Sequence, residues 1–302
     1  MRINGLLRLG FLVLAAALAS GCSIKKMAIN TVGDALAEGN SVYATDEDPE
    51  LVREAVPFGL KLVESLLQQS PTHRGLLLSA ASGFTSYGYG FVQQDADFVE
   101  AEDLDRATLL RNRARKLYLR ALDYGLRGLE TDLPDFRTQL RKDKDAAVGR
   151  AAKRHVPLLY WTANAWGAAI SISTNDSTLT ADQSLVEALM RRALALDEAY
   201  EAGSIHDFFI VWEGGRTSVG GSIDKARQHL ARARELSKGR RVSPIVSFAE
   251  TVSVGTQNQK EFEQLLKEAL AFDVNSAPEF RVANILSQRR AQWLLNRAGE
   301  LF

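Results

Sequence analysis

The sequence predicts an all-α protein of stacked antiparallel helix pairs. Three observations carry this. Apolar residues recur at helix spacing nearly from residue 49 to the C-terminus. Beyond Cys22 no stretch sustains apolar and polar alternation, and no Asn-Gly or Asp-Gly turn marks a hairpin. Several helix ends share a pattern, as in Ala193-Leu194-Ala195-Leu196-Asp197 and Ala269-Leu270-Ala271-Phe272-Asp273.

The elements follow in order. Asp48 before Pro49 reads as an N-cap followed by proline at the first helical position. The helix over 50–69 carries Leu51, Ala55, Phe58, Leu62 and Leu66 with Val52, Val56, Val63 and Leu67 on one broad apolar face. Pro57 is expected to kink it or end a turn, and Ser70-Pro71-Thr72 stops it. A second helix spans 73–93 and a third 103–129, the latter through Leu109, Ala114, Leu117, Tyr118, Ala121 and Leu122. A short amphipathic insertion is expected over 132–142, then one long helix over 145–173 kinked at Pro157. Past the polar loop 173–178, helices are expected at 180–196, 204–213, 222–237, 244–255, 258–271 and 279–298.

Ala226, Leu230 and Ala233 stand at spacings of four and three, where small residues let helices approach. With the repeated helix ends they resemble the second helix of a tetratricopeptide repeat, at stretched spacing. Such pairs cannot bury their apolar faces alone. Stacked, they share a core and curve around a concave surface or channel. Plain helical bundling explains the same spacings.

The chain begins differently. Arg2 and Arg8 precede an apolar run over residues 9–19, and Ala19-Ser20-Gly21 leads to Cys22, the single cysteine of the 302 residues. This is the layout of a secretory signal, too short for a spanning helix of ~20 apolar residues. Either it is an ordinary cleaved signal with a cysteine nearby, or Ala19-Ser20-Gly21-Cys22 is a lipobox. The second reading is preferred because the only cysteine follows the small pair. It resembles the lipobox of bacterial lipoproteins, with Ala19 where leucine is usual. That resemblance implies diacylglycerol on Cys22, an acylated N-terminus and, with Ser23 next, outer-membrane sorting. The expected organisation is a signal peptide over 1–21, a lipid-anchored tether over 22–48 and a helical domain over 49–302.

Composition narrows the function. Lys+Arg and Asp+Glu are 37 each, 46% of residues are hydrophobic and mean hydropathy is −0.14. The balance excludes a disordered chain and a multi-span membrane protein, and offers no basic field for nucleic acid. No HExxH, GxSxG, GxGxxG or phosphate-cradling loop occurs. His73, His155, His206 and His229 lack metal-ligand spacing and read as structural or surface groups. Lys153-Arg154-His155 and Lys238-Gly239-Arg240-Arg241 read as solvated faces. No catalysis, metal or cofactor is expected.

What remains is aromatic and glycine clustering. The first cluster, Gly83 to Phe91, holds Phe84, Tyr87 and Tyr89 among glycines that cost ~1 kcal/mol each in a helix. That cost points to a close approach of backbone or ligand. The second runs from Tyr160 to Trp166, with Tyr160, Ala163 and Asn164 on one side and Trp161 and Trp166 turned away. The third is Phe208 to Trp212, followed by Glu213-Gly214-Gly215-Arg216. Aromatic core packing explains each. The alternative is an apolar cavity in which Asn164, Thr85 and Arg216 fix an elongated amphiphile.

Several ordered segments carry a resemblance to a known family. They are Gly75-Leu76-Leu77-Leu78 leading to Ser82 through Tyr87, Tyr160-Trp161 with Asn164 and Trp166, Gly220-Gly221, and the tail from Asn284 to Leu295 closing on Leu301-Phe302. Over residues 50–302 the chain resembles the T-component of TRAP transporters, the tripartite ATP-independent periplasmic systems. The resemblance implies a lipid-anchored periplasmic protein of tetratricopeptide-like helix pairs closing round a cavity or pore. It also implies a homotrimer and, as partner, the periplasmic solute-binding subunit. His206 through Glu213 is bulkier than the small-residue helix expected there. The wall residues expected are Phe84, Tyr87, Tyr89, Tyr160, Asn164 and Trp212, around a hydrophobic or amphipathic organic acid. The rival expectation is a lipid-anchored adaptor for envelope assembly, with a concave peptide-binding face and no cavity.

Overall fold

The structure is a computed structural model that describes residues 31–33, 40–173 and 175–302. The signal peptide, Cys22 and most of the tether lie outside the described residues. Within them every regular element is helical.

Helix α1 (Asn40–Thr45) precedes α2 (Pro49–Gln69). Asp48 caps α2 as its sequence predicts, its carboxylate accepting from Glu50 N at 2.9 Å and Leu51 N at 3.1 Å. Pro57 does not end a turn. The helix continues through it, because one missing N–H is tolerated where both flanks pack. The expected broad apolar face divides in two. Val52, Val63 and Leu67 are buried in the core, whereas Leu51, Phe58 and Leu62 face outward.

Helix α3 (Arg74–Tyr87) does not stop at residue 93. It widens into a π turn at Gly88–Gln93 and resumes as α4 (Gln94–Val99). The long α5 (Leu104–Glu130) returns beside α3, capped by Asp103 on Arg106 N at 2.9 Å. Short α6 (Phe136–Lys142) and α7 (Lys144–Gly149) follow. The single helix expected over 145–173 is broken. Ala152 is extended at φ −116 and ψ 173, and α8 (Val156–Ser171) starts afresh with Pro157 in its first turn. Proline there sacrifices no helical hydrogen bond, so it marks a beginning and not a kink.

Next come α9 (Ser177–Ala181), α10 (Gln183–Leu196), α11 (Ser204–Gly214) and α12 (Ile223–Ser237). Helix α13 (Ser243–Phe248) widens into a second π turn, Ala249–Ser253. The chain closes with α14 (Gln259–Ala271), α15 (Arg281–Asn296) and α16 (Ala298–Leu301).

Consecutive helices pack on one another, and ion pairs tie them at a constant interval. Glu198 with Arg232, Asp207 with Arg241, Arg227 with Glu261 and Arg234 with Glu268 are each 34 positions apart. That interval is one tetratricopeptide repeat, shorter than the spacings read from the alanines. The glycines of the first cluster admit neighbouring helices. A Cβ on Gly83 would stand 2.6 Å from Leu60 Cδ2, one on Gly88 2.8 Å from Tyr118 Cε1, and one on Gly90 3.0 Å from Leu286 Cδ1.

The Gly90–Leu286 approach joins the two ends of the domain. Arg289 donates to Glu50 at 2.6 Å, Arg281 donates to the Thr45 carbonyl at 2.8 Å, and the Phe98 and Trp293 rings lie 5.4 Å apart. Val282 enters the same core cluster as Val52 and Tyr118. The stack of helices therefore closes on itself, with α15 meeting the N-terminal helices.

Candidate functional site

The expected wall residues fall into two groups. Phe84 and Tyr87 are core residues, 3% and 8% exposed. Phe84 stacks on Tyr124 at 6.1 Å with Arg120 over its ring, and Tyr87 accepts from Arg113 at 3.3 Å. Thr85 and Asn164 spend their polar atoms locally, Thr85 Oγ1 on the Ala81 carbonyl at 2.7 Å and Asn164 Nδ2 on the Tyr160 carbonyl at 3.0 Å. Trp212 stacks on Phe208 at 5.4 Å, and Arg216 lies 4.0 Å over its ring.

Tyr89 differs. It lies in the first π turn with 48% of its surface exposed. Yet burial in the surrounding protein pushes its phenol up to about 12, opposed by Arg290 and helped by Glu250, Asp97 and Asp207. Exposed surface inside a dense mass of protein describes a group in a concavity. Tyr160, on α8, is shifted upward by burial too, with Glu201, Arg241 and Asp207 acting on it. The field of Asp207 thus reaches Tyr89 and Tyr160 on two separate elements, so these groups lie near one another.

Charges gather in the same region, a grouping that single-residue inspection of the sequence does not suggest. Arg290 donates to Asp97 at 2.7 Å and to Glu250 through Nε at 3.2 Å, so α4, the second π turn and α15 converge on one guanidinium. π turns inside α-helices often mark functional positions. Arg241 is 12% exposed and donates to Asp207 at 2.6 Å and 3.2 Å, with Ser243 donating to the same carboxylate at 2.8 Å. Reading residues 238–241 as a solvated face was therefore wrong for Arg241. The 34-position interval to Asp207 is the signal that identifies its partner. His155, read as surface or structural, is structural. It is 1% exposed, with Nε2 3.1 Å from Asp132.

Beside these charges, the turn before α11 is strained. Glu201 has φ 42, Ala202 φ 53 and Gly203 φ 84. Two non-glycine residues in the left-handed region cost roughly 1–2 kcal/mol each, and such strain collects at functional sites. Glu201 accepts from the Tyr200 hydroxyl at 3.0 Å, and burial raises its carboxyl above the ordinary range despite that bond and Arg241. The Tyr160 ring lies 5.1 Å from Trp161 and 5.3 Å from Tyr200, both steeply inclined.

A second cluster sits between α11 and α12. His206 Nδ1 lies 2.7 Å from His229 Nδ1, and His206 Nε2 lies 3.2 Å from Glu198. Burial lowers both imidazoles, His229 to about 4, while hydrogen bonds from Arg232 hold Glu198 down at about 2. Among the described residues no group of three or more His, Cys, Asp or Glu is placed to hold a metal ion, and no helix is long and apolar enough to cross a membrane.

Comparison with known proteins adds two findings. Residues 45–302 match the family model described as TRAP transporter T-component. An uncharacterised protein of Treponema pallidum (strain Nichols) is 28% identical, over 94% of this chain and 94% of its own.

Proposed function

The chain belongs to the TRAP transporter T-component family, and on that premise we propose that it is the lipid-anchored, periplasm-facing accessory of such a transporter. It binds the periplasmic solute-binding subunit and holds or conducts a hydrophobic or amphipathic ligand in the interior of its closed helical stack. It works without catalysis: apolar walls replace water around the ligand's tail, and a few polar groups hold its head. Cys22 carries the anchor, and the protein is a homotrimer in the outer membrane.

The family match over residues 45–302 is the observation that carries the reading. The closure of α15 on α1, α2 and α4 supports an enclosed interior, and the exposed Tyr89 supports access to it.

Affinity purification of the full-length lipoprotein from cross-linked envelopes tests the partner. The expected result is co-recovery of a TRAP solute-binding subunit. Recovery of envelope-assembly proteins without that subunit would favour the adaptor reading instead.

A further inference from the structure

We propose that Tyr160, Trp161, Tyr200 and Glu201 form a cation subsite that takes the ammonium head of an amphipathic ligand. The inference rests on the interior being the ligand's place, and it names the chemistry of the head.

Three rings meet at the corner. Trp161 stands at 79° to Tyr160 across 5.1 Å, and Tyr200 at 60° across 5.3 Å. In each pair one ring meets the other edge to face, and the partly exposed Trp161 and Tyr200 leave their outer faces to a ligand. Aromatic faces attract ammonium groups through their quadrupoles, and cages of this composition are a recurrent solution for quaternary ammonium.

Charge supplies the second argument. The acids and arginines acting on Tyr89 and Tyr160 are Asp97, Glu250, Asp207, Glu201, Arg290 and Arg241. Both arginines are engaged, Arg290 by Asp97 and Glu250, and Arg241 by Asp207. Glu201 makes no ion pair among the described residues. It accepts from the neutral Tyr200 hydroxyl, and it keeps solvent access although the protein packed around it raises its carboxyl. Arg241 acts on it only at a distance, with its guanidinium turned to Asp207 and Ser243. Arg111 also pairs with Asp97 at 3.2 Å, so three arginines face four acids and the acid left without one is Glu201. A carboxylate head would meet that charge and find neither Arg290 nor Arg241 free, whereas an ammonium meets a carboxylate and the outer faces of Trp161 and Tyr200.

Backbone geometry fixes the carboxylate there. The left-handed run through Glu201, Ala202 and Gly203 ends where Gly203 packs on α12, a Cβ in its place lying 2.9 Å from Leu236 Cβ. The ligand's head class therefore departs from the organic acid expected from the sequence.

Binding of octyltrimethylammonium, octanoate and octanol to the mature protein, read by tryptophan fluorescence and calorimetry, tests the subsite. The ammonium is expected to bind at least about tenfold more tightly than octanoate. Glu201→Gln, which keeps an acceptor for Tyr200, is expected to lower that affinity about tenfold and leave octanol unchanged, with an unaltered far-UV spectrum. Octanoate binding as tightly as the ammonium, or an unaffected Glu201→Gln, would overturn the cation subsite. If octanol binds and the head group makes no difference, the interior holds ligands without this subsite. If none of the three binds, the ligand-holding function and the subsite both fall.

Discussion

Arg290 donates to Asp97 at 2.7 Å across 193 positions of sequence, and the same guanidinium holds Glu250 in the second π turn. Its side chain is 12% exposed and that of Asp97 17%. One cation thus fastens α15 to α4 and α13 together, at the point where the stack closes. Without Arg290, Asp97 keeps Arg111 at 3.2 Å, whereas the partly buried Glu250 loses its partner, a loss of about 2–3 kcal/mol. Arg290→Met is expected to destabilise the fold by roughly that amount in urea. It should also raise hydrogen exchange over residues 88–99 and 281–296 before the rest of the chain. Uniform exchange across the domain would mean that the closure is not a separable event.

The pairing of His206 and His229 predicts a pH response. Their Nδ1 atoms at 2.7 Å require one donor and one acceptor. In the unfolded chain both ionise near 6.5, whereas His229 in the fold ionises at about 4. Between these values the unfolded chain binds protons that the fold refuses, so stability is flat above 6.5 and falls as pH drops towards 4. The charges facing the pair are Glu198, Arg232, Asp207, Arg191 and Lys225. Partial exposure of His229 limits its share to roughly 2 kcal/mol. His155, also lowered by burial, adds in the same direction. Urea midpoints at pH 7.5 and 4.5 measure the slope, and His229→Gln should reduce it. Glu198 acts elsewhere, since a carboxyl held at about 2 loses its contribution only below its ordinary 4.5.

Helix α5 meets α8 at glycines, which sets propensity against packing. A Cβ on Gly125 would stand 3.1 Å from Thr162 Cβ and 3.2 Å from its Cα, closer still to the hydroxyl. Alanine gains ~1 kcal/mol of helix propensity over glycine. Overpacking a rigid contact costs about 1–3 kcal/mol, and here the obstacle includes backbone. Gly125→Ala is expected to lower thermal stability despite its propensity. Gly149→Ala, with open space around the site, should leave it unchanged or raise it. Equal gains in both variants would show that the two helices can separate freely.

How much of this was legible from sequence depends on whether local or long-range physics decides. The Asp48 cap with Pro49 is local, and it reads correctly. Pro157 is ambiguous locally, because the same residue kinks a helix or begins one, and Ala152 settles which. The glycines at 83, 88 and 90 announce a close approach, but not that Leu60, Tyr118 and Leu286 supply it. Among the aromatic residues, helix period separates Tyr89 from Phe84 and Tyr87 only if the turn stays α-helical, and the π turn removes that premise. Asp97, Glu250, Arg290 and Glu201 were invisible as a set, since charged residues usually read as solvated. Only the 34-position interval of Asp207 and Arg241 leaves a trace in the sequence.

The outward face of α2 gives the oligomer a test. Leu51, Phe58 and Leu62 are spaced seven and four apart on one helix face, 55%, 76% and 38% exposed. Burying a phenylalanine of this exposure against a neighbour is worth about 2 kcal/mol, repeated at each copy of a symmetric interface. Glu50 and Arg289, paired at 2.6 Å, rim the start of this helix. If the trimer forms through this face, Phe58→Glu places a carboxylate in each contact and should yield monomers by light scattering. Because Phe58 touches little within its own subunit, its thermal stability as a monomer should stay near that of the parent chain. A Phe58→Glu protein that remains trimeric would assign the trimer contact to another surface. A parent chain that is itself monomeric would remove the homotrimer.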